Sequence, residues 1–159
     1  MKIIMFTFLF VALFASCASI VKVEFDQENF NAQRQMWQSS NVKDYQYRLR
    51  AVGYMMYDGT IIVENSEYKE DLPSEASVWN NPFKGFNSID ELYRYIEEQF
   101  TSTNNKRQRK EFYLKEIRIE YDEINHIPIE IHYVYYFSPN VVVDGTFDFF
   151  ISDFQRINK

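Results

Sequence analysis

The sequence predicts an α+β domain with element order α-β-β-α-β-β-β. An antiparallel sheet of about five strands would carry two helices packed on one face. Three observations lead to that expectation. Apolar and aromatic residues alternate with polar ones over 45–57 and again over 117–137, the period of a half-buried strand. Between these stretches Ile89, Leu92, Tyr93, Ile96 and Phe100 recur at helical spacing. The 159 residues also include 15 Phe, 12 Tyr and 2 Trp, flat side chains that suit a pleated surface. With only 4 Gly and 4 Pro, collagen-like and low-complexity chains drop out.

Residues 1–16 (MKIIMFTFLFVALFAS) form the first element, a leader. Lys2 supplies its positive start, and the 13 residues of 3–15 carry no charge and are dominated by apolar side chains. That length suits a signal peptide and is short for a membrane span. The leader closes on Leu13-Phe14-Ala15-Ser16-Cys17. This ending resembles a bacterial lipoprotein leader, with small residues ahead of the cysteine and Phe14 where Leu, Val or Ile is usual. The resemblance implies that Cys17, the chain's only cysteine, receives a diacylglycerol thioether and becomes the mature N-terminus. Two alternatives stay open. Cleavage after Ala18 would release a protein starting at Ser19, and an uncleaved leader would remain as an anchor. Residues 17–25 are expected as a short tether of at most ~28 Å, leading into a single domain over 26–159.

The domain opens with a helix over 27–38. Asp26 is placed to cap it, and Phe25 and Phe30 form a hydrophobic staple around that cap. Ser39, Ser40 and Asn41 end it. The strand over 45–57 then meets Asp58-Gly59, the strongest short hairpin signal in the chain. In that register the return strand, 60–68, sets Glu67 opposite Arg50. An irregular stretch, 69–87, holds Pro73, Pro82 and Gly85. Ser88 and Glu91 make a capping box for the second helix. A polar, basic segment (101–110) connects it to the second hairpin, which turns over 122–126. Pro128 is tolerable there because it sits at a strand start. The last strand points Val141, Val143, Phe147, Phe149 and Ile151 inward.

Charge and residue type narrow the functional classes. A net charge of −6 and a pI near 5.0 count against a nucleic-acid binder. No Gly-x-Ser-x-Gly elbow is present, and the one cysteine lies in the leader, so nucleophilic catalysis has little footing. His126 and His132 fall on one strand face some ~20 Å apart, too far to share a metal. Asp144 with Asp148, and Asp122 with Glu123 and Asn125, offer a weak calcium reading against the plainer one of a solvated face and an Asx turn. No cofactor and no resident metal are expected, nor catalytic residues.

Two surfaces are candidates for partners. Trp79, Phe83 and Phe86 place three large aromatics in the long irregular stretch, either anchoring a partner or folding back over the sheet. Lys106, Arg107, Arg109 and Lys110 put four cations into five residues of an acidic chain. They would either touch anionic headgroups or keep a connection soluble.

The ordered set Trp37, Tyr45-x-Tyr47, Asp58-Gly59, Ser88-Ile89-Asp90-Glu91-Leu92, Tyr121-Asp122, His126-Ile127-Pro128 with Ile131, and Asp144-Gly145 resembles a family of bacterial secreted lipoproteins of unknown function. That likeness spans residues 30–154. It implies a secreted or lipid-anchored setting and carries no catalytic residues. The expected function is therefore a membrane-anchored cell-envelope protein with a non-enzymatic binding domain. The alternative is an envelope protein that stabilises or inhibits another protein through its aromatic loop.

Overall fold

A computed structural model describes residues 22–53, 56–69, 86–104, 112–139 and 147–157. Asp26 caps α1 (Gln27–Ser39), its carboxylate accepting from the Asn29 N–H at 3.0 Å. The staple forms as expected, with the Phe25 and Phe30 ring centroids 5.1 Å apart. Helix α2 (Ile89–Asn104) starts with the Ser88 hydroxyl accepting from the Glu91 N–H at 3.1 Å. The Glu91 carboxylate reaches back to the Asn87 N–H rather than to that of Ser88.

Among the described residues the sheet has six strands, paired antiparallel, where about five were expected. They are β1 (Tyr45–Val52), β2 (Tyr57–Glu64), β3 (Glu67–Lys69), β4 (Phe112–Tyr121), β5 (Pro128–Phe137) and β6 (Phe147–Arg156). Their spatial order is β3-β2-β1-β6-β5-β4. Trp37 of α1 packs edge-on against Tyr45, and Tyr95 of α2 packs against Tyr133. Both helices thus lie against the face that carries the buried odd-numbered residues of β1. Phe30 meets Tyr93 between the helices, and Arg34 bridges to Glu97 at 2.8 Å.

The first hairpin departs from expectation. Asp58-Gly59 is not a turn; both residues lie inside β2, where Asp58 pairs with Arg50 and Gly59 with Leu49. Parity explains this. A turn at Asp58-Gly59 would pair odd residues of β1 with even residues of β2 and turn Ile61 and Val63 away from the core. In the observed register Tyr45 pairs with Val63 and Tyr47 with Ile61, so all four are buried together. Gly59 has another use: the Tyr57 ring lies over its Cα, where a Cβ would collide. The β1–β2 connection lies between Val52 and Tyr57, and a separate tight turn at Asn65-Ser66 joins β2 to β3, with φ of 53° and 65°, positive at both central positions as a type I′ turn requires. It splits the expected 60–68 strand into β2 and β3, and Arg50 does not meet Glu67.

Two irregularities re-aim side chains. The β4–β5 register shifts between Leu114 and Glu116, so even-numbered Leu114 and odd-numbered Ile117 are both buried. Opposite Tyr47, β6 carries an extra residue at Asp153, whose φ is 54°. Beyond it, Phe154 swings inward and packs on Trp37 and Tyr45.

Part of the segment expected as a tether belongs to the domain. Val23 is buried, and its N–H donates to Asn104 Oδ1 at 2.9 Å. Glu24 forms a parallel bridge to Glu116: its N–H donates to the Lys115 carbonyl at 2.8 Å, and its carbonyl accepts from the Ile117 N–H at 3.0 Å. These bonds cover a stretch of the β4 edge that would otherwise be open to pairing.

Candidate functional site

Most of the residues singled out from the sequence, namely Cys17, Trp79, Phe83, Lys106, Arg107, Arg109 and Lys110, lie outside the described residues, as do Asp144, Val141 and Val143. Phe86 is described, and it is a core residue. Only 2% exposed, it stacks on Phe149 and packs against Tyr95, each with centroids 4.6 Å apart. Its carbonyl accepts the Tyr47 hydroxyl at 2.6 Å. Phe86 therefore offers a partner almost no surface, because it fixes the entry to α2. Tyr45 does related work: its hydroxyl oxygen accepts from the Ile89 N–H, one of the open donors at the start of that helix. Burial pushes the pKa of both phenols up, so both stay neutral.

The sheet face away from the helices carries the charged groups. Arg48 forks onto Asp58, with Nε to Oδ1 at 2.7 Å and the second bond at 3.0 Å. These bonds hold the Asp58 carboxyl below the usual carboxylate range. Beside the pair runs an open groove of about 280 Å³, bordered by Gln46, Thr60 and Asp153. Farther across the face, His132 sits between two carboxylates. Its Nδ1 is 2.9 Å from Asp148 Oδ1 and its Nε2 is 3.1 Å from Glu130 Oε2. Partial burial works against the charged ring, but the bonds to Asp148 and Glu130 outweigh it, and the His132 pKa rises above its ordinary 6.5. When the ring is protonated both nitrogens donate, and the imidazolium then has no lone pair left for a metal. The arrangement is an electrostatic clamp between β5 and β6. Parity placed His132 and Asp148 on polar faces, but their direct pairing required the β5–β6 register.

His126 departs from expectation. Its φ of 58° turns it off the strand face, and its Nδ1 lies 3.0 Å from Gln33 Oε1 on α1. In the same turn the Asp122 carboxylate accepts from the Ile124 and Asn125 N–H groups at 2.8 and 2.7 Å. That is the Asx turn, made through Oδ1 of Asp122. Among the described residues no group of three or more His, Cys, Asp and Glu is arranged to hold a metal.

One end of the β4–β5 hairpin is dense in aromatics. On the helix-side face Phe112 stacks on Tyr135 at 5.0 Å and on Phe137 at 5.2 Å; on the opposite face Tyr113 stacks on Tyr136 at 4.8 Å. The described part of β6 begins at Phe147, opposite Tyr133. The strand ends carrying these rings lie beyond that pair in the β4–β5 hairpin. Phe112 and Tyr136 are each 41% exposed. The sequence showed strand alternation here without showing which rings the register brings together.

No family model matches the chain, and no match is found among curated proteins or solved structures. Among the described residues no helix is long and apolar enough to cross a membrane.

Proposed function

We propose that this protein is a lipid-anchored component of the bacterial cell envelope, held to its membrane through Cys17, whose domain binds a partner without catalysing a reaction. The observation that carries the reading is Ala15-Ser16-Cys17 directly after an uncharged apolar run, in a chain with no other cysteine. The likeness to secreted lipoproteins of unknown function points the same way. The acidic balance of the chain disfavours nucleic acid as the partner, which leaves an envelope protein or a small ligand.

The anchor is tested by fractionation after expression in a bacterium with intact lipoprotein processing. Wild-type protein is expected in the membrane fraction after a high-salt wash, and Cys17→Ala in the soluble fraction or as unprocessed precursor. Identical behaviour of the two would overturn the reading. Chemical cross-linking in intact cells then separates a defined protein target from small-ligand binding.

A further inference from the structure

We infer that the aromatic end of the β4–β5 hairpin rests in the headgroup region of the bilayer to which the chain is anchored, so that the sheet stands on end against the membrane. This rests on the proposed anchor at Cys17. Three observations on the described residues carry it.

The first is direction. Glu24 bridges Glu116 in parallel, so the chain followed backwards from Glu24 runs toward the Phe112 end of β4. Phe112 is four residues along that direction, roughly 13 Å, whereas the turn after Tyr121 lies about 17 Å or more the opposite way. The second is reach. Val23 is fixed by its bond to Asn104, and the six residues back to Cys17 span at most ~20 Å. A lipid on Cys17 therefore brings the bilayer within reach of the aromatic end. Presenting the opposite end would require the chain to reverse.

The third is surface chemistry. Phe112, Tyr113, Tyr135, Tyr136 and Phe137 crowd this end as stacked pairs on both faces. Tyrosine, with an apolar body and a polar tip, favours the membrane–water boundary. Lys22 and Lys115, both exposed, flank the point where the N-terminal segment meets β4, and cations there suit anionic headgroups.

Because acylation consumes the only native thiol, a single engineered cysteine can carry a fluorophore on otherwise intact lipoprotein. Phe112→Cys and Tyr136→Cys place it at the aromatic end. Ile124→Cys places it in the 122–126 turn at the opposite end, where Ile124 is 83% exposed. Each variant is checked for folding by circular dichroism and reconstituted into vesicles containing brominated lipid, and two positions at the aromatic end guard against one failing to fold. Brominated lipid should quench the labels at 112 and 136 severalfold more than the label at 124, and aqueous iodide should do the reverse. If the vesicles float with protein after a salt wash while iodide reaches all three labels alike, the anchor holds and this orientation is wrong. If neither quencher reaches 112 and 136, another copy of the protein covers them, and the orientation is again wrong. Protein that fails to float would remove the anchor, and this placement with it.

Discussion

Tyr47 and Tyr133 are both buried on the helix-side face of the sheet, and they differ in what their hydroxyls meet. Tyr47 donates to the Phe86 carbonyl, while the Tyr133 hydroxyl has no hydrogen-bond partner among the described residues. The same one-atom change should therefore act in opposite directions. Tyr47→Phe removes this buried hydrogen bond and is expected to cost about 1 kcal/mol. Tyr133→Phe removes an unmet donor and should be neutral or stabilising by about 1 kcal/mol. Urea unfolding of the two variants reads both, and equal losses would contradict this assignment. His132 gives a pH signature. Its folded pKa lies above the ordinary 6.5, so its contribution to stability is complete below about 6.5 and is lost as pH rises through the folded value. Proton NMR titration should find the His132 pKa raised in the wild type and lower in Asp148→Asn. The urea midpoint of the wild type should fall relative to His132→Gln over the same rise in pH. A His132 pKa at or below 6.5 would break the clamp as described.

At the level of elements, Asn65 and Ser66 make the tight turn between β2 and β3. A non-glycine residue in the left-handed region costs about 1 kcal/mol, and Ser66→Gly should recover part of it. The expected result is a higher thermal midpoint with β2–β3 pairing unchanged; a lower midpoint would mean that Ser66 makes a contact that matters more than its backbone. The elements themselves were legible in the sequence. Both helices, their caps, the Phe25–Phe30 staple and the alternation of β1 and β5 follow from patterns a few residues long. What local pattern could not show was pairing. Asp58-Gly59 satisfies a turn by itself, but only the need to bury Ile61 and Val63 beside Tyr45 and Tyr47 rejects it. The shifts at Lys115 and Asp153 likewise exist only relative to the strands opposite. Phe154, inward through such a shift, could not have been assigned from parity along β6.

Across the whole molecule, a charged sheet face, a helix-covered core and an aromatic hairpin end are set by one strand order. The crowding of rings at that end was not legible locally, because it depends on the β4–β5 register, a pairing between two strands. Val23 and Glu24 join these scales. By fixing the N-terminal segment to β4 they shorten the free connection to Cys17 and give it a direction. The central claim is that a lipid on Cys17 holds this domain to a membrane, and the mass of the N-terminal peptide from protein made in a lipoprotein-processing bacterium tests it most directly. A peptide beginning at Cys17 and carrying acyl chains is the predicted result. An unmodified peptide beginning at Ser19, or an intact leader, would contradict it.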